Sequence, residues 1–346
     1  MNVPILPRGG DIQVRLNFYL FDSGLKAMKG TALRARPKGG RVWGKIGGSM
    51  ESTPHQSKPI ALITAEIGWG SMKPAAEIAP QALLDAGLAE RLGAKVFRVP
   101  CTPKMNESTP SYEETERIIV NHILGVKSSV VQVIQEGYFP VIIGGDHTSA
   151  IGFHAGLAEA FGELGIIWVD THPDLNTLET SPSGHIHGMV LAALLGRGSD
   201  VMLEAGKACN TRDQQVAMIG TRDIDAGELA WLNEGNINCM TMDFVRRNGL
   251  KSAMEQAVTT ATTDTNGFGL TIDIDVLDPI DAPFVATPVD GGIMLEELVN
   301  ELCEMPMRDN MMGLEVTEYT PRSSDDDEAA CDLVHKLITA ALPTLV

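Results

Sequence analysis

From residue 59 onward the chain repeats one pattern, a short apolar β-rich run followed by a longer stretch with apolar residues at helical spacing. The short runs fall at 60–64, 96–99, 141–143, 166–169, 216–219, 237–240, 270–274 and 312–316. Several are apolar without a break, as expected for strands covered on both faces. The clearest helical stretch, 112–136, carries Ile118, Ile119, Ile123, Leu124, Val130, Val131 and Ile134. Others fall at 150–161, 191–195, 226–233, 246–259, 295–304 and 326–341, the last opening on the acidic run 325–328. Strands alternating with helices predict an α/β domain over 59–346, a parallel sheet sandwiched by helices. Such sheets bind ligands at the carboxyl ends of their strands. The residues that follow each run are therefore the ones to read for chemistry.

Polar residues cluster at those ends. Gly144-Gly145-Asp146-His147 follows the run at 141–143, and Asp170-Thr171-His172-Pro173-Asp174 follows the run at 166–169. The run at 270–274 contains Asp273, with Asp275 and Asp278-Pro279 just beyond. Carboxylates grouped without partners repel one another and cost on the order of several kcal/mol in desolvation. In an extended chain, residues two apart point the same way. On that reading Asp170, His172 and Asp174 share one side, as do Asp273 and Asp275. With His147 this puts four carboxylates and two imidazoles around one crevice. Six such ligands are too many for one small cation and suit two divalent metals that share carboxylates. Oxygen-rich ligation with some imidazole suits manganese, with nickel, cobalt and iron as alternatives. The lack of thiolates speaks against structural zinc. Two such metals can lower the pKa of a water enough to supply hydroxide at neutral pH. A lone D-x-H-x-D is as well read as a helix cap, and a lone histidine as a core residue. Three strand ends in one chain bearing such groups favour the metal.

Charge narrows the partners. The formal net charge is −18, yet residues 1–58 carry ten Lys or Arg against three Asp or Glu. The acidic body repels phosphate, so nucleic acid is not an expected partner, and a small cationic substrate is. The basic, Gly-rich residues 1–58 read as an N-terminal extension, either an arm against a neighbouring subunit or a tail. Cys101, Cys209, Cys239, Cys303 and Cys331 are scattered and odd in number, which fits free thiols in a reducing compartment. No apolar run of membrane-spanning length and no secretory leader is read, so a cytoplasmic location is expected.

Five motifs in order, G-G-D-H-T (144–148), D-T-H-P-D-L-N-T (170–177), S-G-H-I-H-G-M (183–189), T-I-D-I-D-V-L-D-P (271–279) and E-V-T-E-Y-T-P (315–321), resemble those of the ureohydrolase superfamily. This is the group of arginases, agmatinases and related guanidino hydrolases. The resemblance covers about residue 60 to the C-terminus. It implies a three-layer α/β/α fold with a mostly parallel eight-stranded sheet, and a homo-trimer or hexamer, with a hetero-oligomer as the alternative. It gives one divalent metal to His147, Asp170, Asp174 and Asp273, and the other to His172, Asp275 and the shared Asp170 and Asp273. It makes His187 the histidine that passes a proton to the leaving amine, and Glu318 the glutamate that pairs with the guanidinium. Glu315 sits behind Glu318 as support.

Among these enzymes the chain is most similar to arginases. Asn176 and Ser183 match residues that hold the substrate carboxylate there, and 222–228 matches the segment whose acids, here Asp223, Asp225 and Glu228, organise recognition of the α-amino group. His185, also taken as substrate-binding, stands in place of an asparagine, and Leu178 in place of a proline. Of a usual G-T-P turn only Thr287-Pro288 survives, with Thr287 facing substrate, and Pro173 is an unusual residue between His172 and Asp174. The expected function is urea release from arginine or a close guanidino acid. The alternative is a guanidine without that head: guanidine, agmatine, an alkylguanidine or a biguanide such as metformin, with nickel. Two further readings are a non-catalytic partner subunit, which typically loses metal ligands, and a single-zinc amide hydrolase, which needs fewer acids.

Overall fold

The computed structural model describes residues 58–105 and 110–342. The expected N-terminal extension, residues 1–58, lies outside the described residues but for its last position. Eight strands form one sheet: β1 Ile60–Glu66, β2 Lys95–Pro100, β3 Phe139–Gly144, β4 Gly165–Val169, β5 Val216–Ile219, β6 Asn238–Met240, β7 Phe268–Asp273 and β8 Met311–Thr317. Their order is β2-β1-β3-β8-β7-β4-β5-β6. Every pairing is parallel, so the sheet is wholly rather than mostly parallel.

The continuous apolar runs are explained by burial on both faces. Along β4, Ile167 and Val169 belong to one apolar cluster while Ile166 and Trp168 belong to another. Along β1, Ile60 and Leu62 face the first cluster, and Ala61, Ile63 and Ala65 a third. The first cluster is closed by helices Pro74–Asp85, Leu250–Thr262, Leu295–Glu304 and Ser324–Ala341, the other two by Tyr112–Gln135 and Ser149–Phe161. The outcome is the expected three-layer α/β/α sandwich.

Tyr112–Gln135 is long and apolar enough by composition to cross a membrane. It buries Ile119, Ile123, Val126, Val130 and Val133 in the protein core instead. Its start is fixed by a capping box, in which the Ser111 hydroxyl accepts the Glu114 N–H and the Glu114 carboxylate accepts the Ser111 N–H. The stretch at 246–259 is not one helix: Met242–Asn248 ends at Gly249, whose φ of 85° is a left-handed conformation, and Leu250–Thr262 begins anew. The acidic 325–327 lies in the first turn of Ser324–Ala341, where the helix dipole favours negative charge.

The strand order positions the site. Consecutive strands β3 and β4 are parted by β8 and β7, which return last to fill the gap. The carboxyl ends of β3, β8, β7, β4 and β5 thus lie side by side at the centre of the sheet.

Candidate metal centre

Those five strand ends carry nearly every polar residue singled out above. After β3 the chain turns at Gly145, where a Cβ would lie 1.9 Å from the Ile67 carbonyl oxygen. That close approach admits only glycine. Asp146 secures the turn: Oδ2 accepts the N–H groups of Gly70 (2.6 Å) and Ser71 (3.0 Å), and Oδ1 that of Thr148 (3.1 Å). His147 is thereby delivered into the interior, stacked on Trp168 with ring centroids 4.3 Å apart. Its Nδ1 lies 3.0 Å from Asp174 Oδ2, 3.2 Å from Asp170 Oδ2 and 3.3 Å from Asp273 Oδ2.

A second group adjoins the first. His172 Nδ1 lies 3.1 Å from Asp275 Oδ2 and 3.7 Å from Asp170 Oδ1. His147, Asp170 and Asp273 make one candidate metal-holding group and Asp170, His172 and Asp275 another, with Asp170 common to both. Asp273 falls in the first alone; its Oδ1 accepts the Asp275 N–H at 2.8 Å. The carboxylates converge, but not by strand alternation. Strand β7 ends at Asp273, and Ile274–Val276 is a turn of 3-10 helix. Asp174 reaches the site through a left-handed backbone, φ 53°. The backbone N–H of the turn, not the pleat of a strand, brings Asp275 alongside Asp273.

Electrostatics follow from crowding ionisable groups in a dry interior. Burial, followed by the charge of Asp170, pushes Asp174 up to about 6. Burial and the charges of Asp275 and Asp170 hold Asp273 well above the usual carboxylate range. Asp170 goes the other way: burial opposes its charge, but hydrogen bonds to His147 and His172 outweigh it. Burial disfavours the His147 cation as well, yet the close carboxylates of Asp170, Asp174 and Asp273 drive its pKa well up. Even so, both ring nitrogens of His147, Oδ2 of Asp174 and Oδ1 of Asp275 are buried without a well-formed hydrogen bond. Buried polar atoms left in this state call for a partner. Imidazole nitrogen and carboxylate oxygen, orphaned and converging, are the donor set a divalent cation takes, so these residues fit a bound metal pair.

Beside this cluster stands Glu318, directly after β8. Its backbone is left-handed at φ 68°, a conformation uncommon away from glycine and found at functional sites. The Glu318 N–H donates to the Gly145 carbonyl at 3.0 Å, and Oε1 accepts the His147 N–H at 2.8 Å. The same oxygen lies 3.0 Å from His187 Nδ1. Burial opposes charge on His187, but the Glu318 carboxylate prevails and raises it to about 9. Oε2 of Glu318 is buried and unpartnered. Glu315, within β8, is fully buried and accepts from Ser149 Oγ (2.6 Å) and Thr271 Oγ1 (3.0 Å).

A cavity of about 280 Å³ opens over the cluster, lined by His172, Asp174, Asn176, Ser183, His185, His187, Asp223, Asp225, Glu228, Asp273, Asp275, Thr287 and Glu318 among others. His147 and Asp170 are buried and absent from this lining. Some substrate-facing expectations are met differently. Thr287 Oγ1 donates to Asp275 Oδ2 at 2.9 Å, so it braces a candidate metal ligand. Both Glu228 oxygens accept backbone N–H groups, of Leu175 (3.0 Å) and Asp225 (2.9 Å); chiefly burial raises this carboxyl to about 7. Asn176 Nδ2 donates to Asp225 Oδ2 at 2.9 Å, and its Oδ1 accepts from Thr180. Ser183 Oγ accepts the His185 N–H at 3.2 Å.

Sequence reasoning passed over Asp146, Trp168 and Arg222. Trp168 Nε1 donates to Asp170 Oδ2 at 3.0 Å beneath the stacked His147 ring. Its signal was present, the one tryptophan in a strand that ends on candidate ligands.

Comparison with known proteins agrees with this geometry. The model of the Arginase family matches residues 58–342. The chain is 36% identical over 249 residues to the arginase of Bacillus caldovelox, covering 69% of this chain and 83% of the relative. Against the arginase of Bacillus subtilis it is 35% identical over 292 residues, 81% and 98% of the two chains. The crystal structure of Entamoeba histolytica arginase in complex with L-ornithine superposes with a TM-score of 0.75 at 26% identity, over 83% of this chain and 99% of that one. With its eight parallel strands, its paired His–Asp groups and this match over most of its length, the chain belongs to the arginase family.

Proposed function

We propose that the chain hydrolyses the guanidino C–N bond of arginine or a close guanidino acid and releases urea, using two divalent cations held by His147, Asp170, His172, Asp174, Asp273 and Asp275. Manganese is the first choice of metal and nickel the alternative. The observation that carries this reading is a pair of His–Asp groups joined through Asp170, one buried and one with a partly buried His172, beside a buried Glu318 oxygen that has no partner. When bound, such a cation pair supplies Lewis acidity that makes water a nucleophile at neutral pH.

The chain's own residues do the rest. Glu318 Oε2 is an acceptor held at the inner end of the cavity, suited to the planar N–H edge of a guanidinium. Its other oxygen is anchored on the His147 N–H, so a substrate gripped there has its central carbon fixed relative to the His–Asp groups. His187, kept protonated at neutral pH by Glu318, gives a proton to the nitrogen that departs as the C–N bond breaks. An amino acid head suits the polar mouth with Ser183, His185, Asp223 and Asp225, and the Entamoeba relative takes L-ornithine.

One observation favours the alternative, a guanidine without an amino acid head. The Asn176 amide is already engaged by Asp225 and Thr180 rather than open to a carboxylate. Urea release across arginine, agmatine, guanidinobutyrate, guanidine and metformin decides between the two. Arginine is the expected best substrate; an inert arginine beside turnover of a simple guanidine overturns the first reading in favour of the second.

A further inference from the structure

Arg222 follows β5, close enough to feel the charges of Asp275, Asp170 and Asp278. Among the described residues, every hydrogen-bond acceptor its guanidinium meets is a backbone carbonyl. Nη2 donates to Asp275 (3.0 Å), Leu277 (3.3 Å) and Val289 (2.7 Å), and Nη1 to Val276 (3.1 Å) and, weakly, Gly220 (3.4 Å). Three of these carbonyls, of Asp275, Val276 and Leu277, are consecutive and belong to the end of the 3-10 turn Ile274–Val276. The last carbonyls of a helical turn have no acceptor role within it and carry partial negative charge, which a cation caps. Val289 belongs to the same long connection as Thr287, whose hydroxyl holds Asp275 Oδ2. Thr171 adds a donor to the Asp275 carbonyl at 2.7 Å, and its own carbonyl accepts the Arg222 N–H at 2.9 Å.

We propose that Arg222 is the positioning residue for the His172–Asp275 half of the metal centre: by fastening the Asp275–Leu277 turn and Val289 to the end of β5, it sets where the Asp275 carboxylate stands. The proposal rests on the two-cation reading above. Only a guanidinium does this, because its planar fork reaches several carbonyls at once, whereas the lysine ammonium is a compact charge on a flexible stem. Supports behind a metal ligand typically change affinity roughly 10- to 100-fold when removed.

The test is metal binding by the full chain. Wild type, Arg222→Lys and Arg222→Met are stripped with chelator, titrated with Mn²⁺, and read by bound-metal content and electron paramagnetic resonance. The expected result is that both variants keep one tight ion, bind the second roughly 10- to 100-fold more weakly, and show an isolated-ion spectrum where wild type shows a coupled pair. Second-ion affinity within threefold of wild type in Arg222→Lys overturns the proposal, since charge alone then suffices. Equal weakening of both ions, or tighter binding in Arg222→Met, overturns it too. A wild type that takes only one ion overturns the two-cation reading itself, an outcome distinct from the others. Should the Arg222 variants not fold, Thr171→Val removes another donor to the same carbonyl and must weaken the second ion selectively.

Discussion

Replacing Glu318 with glutamine is the sharpest probe of how the site grips its substrate. Both side chains have the same shape. Oε1 of glutamine can keep the two contacts that the glutamate oxygen makes, to the His147 N–H at 2.8 Å and to His187 Nδ1 at 3.0 Å. The change falls on the other position, where the buried and unpartnered Oε2 becomes an NH₂ group. A guanidinium edge that met an anionic acceptor now meets a donor. Charge-assisted hydrogen bonds contribute roughly 1.5–3 kcal/mol each, so loss of the one at Oε2 amounts to about a ten- to hundred-fold drop in kcat/KM. The lost charge also releases His187, whose pKa of about 9 depends on Glu318 against the pull of burial. The general acid then deprotonates at lower pH, and the basic limb of the pH–rate profile moves down. The assay is steady-state urea release across pH with metal content measured on the same sample. A loss below about tenfold with metal intact and an unmoved basic limb would refute the assignment of Oε2 to the guanidinium.

Three further outcomes are expected. His187→Ala slows turnover and keeps its metal, whereas Asp273→Ala loses both, because Asp273 faces His147 Nδ1 while His187 faces Glu318; equal metal loss in the two variants contradicts that division. Gly145→Ala costs about 3 kcal/mol, the upper end for overpacking, in urea denaturation, since its Cβ would meet the Ile67 and Ala76 carbonyls; a change within about 1 kcal/mol means the backbone there yields. His154 is buried, lies 3.0 Å from Thr271 Oγ1, and has its pKa lowered to about 3, mainly by burial. The unfolded chain, with a histidine pKa near 6.5, then binds the proton first, so this stability is full above that value and is lost as pH falls toward the folded one. The slope is about 1.4 kcal/mol per pH unit, and denaturation at neutral and mildly acidic pH should show a smaller acid loss in His154→Gln than in wild type; parallel losses would remove His154 from the account.

How much of this was legible in the sequence depended on whether the determining contact was local. The central strands were readable because a strand buried on both faces has an apolar residue at nearly every position, as Ile166, Ile167, Trp168 and Val169 do, whereas the edge strands β2 and β6 are only partly buried. The helices Pro74–Asp85, Leu88–Leu92 and Asp200–Gly206 were missed. The first opens on Pro74 and holds Pro80 in its interior, and the other two are too short to display a period. The candidate ligands were readable for a simple reason: acids and imidazoles directly after apolar runs must be brought to one edge of a parallel sheet. Yet the reason offered for their convergence, side chains two apart on an extended strand, holds for neither pair at its end. Asp273 and Asp275 meet because the chain coils after β7, and Asp174 turns in through a left-handed residue.

The residues read as facing substrate show the same limit from the other side. Thr287, Glu228 and Asn176 were found by position in a motif, and each lines the cavity, but their hydrogen bonds go to Asp275, to the N–H groups of Leu175 and Asp225, and to Asp225 and Thr180. A motif marks which residues gather at a site; whether a side chain there touches a ligand or braces its neighbour is decided by partners up to dozens of positions away. Arg222 is the extreme case. Its neighbours Asp223 and Asp225 drew attention as acids near a cationic substrate, while all but the weakest of its own partners are carbonyl groups 53 to 67 positions later, on which the sequence leaves no mark. A site of this kind is written into the chain twice, once in the side chains that carry out the chemistry and once in the backbone groups that hold them still, and only the first is visible before the chain folds.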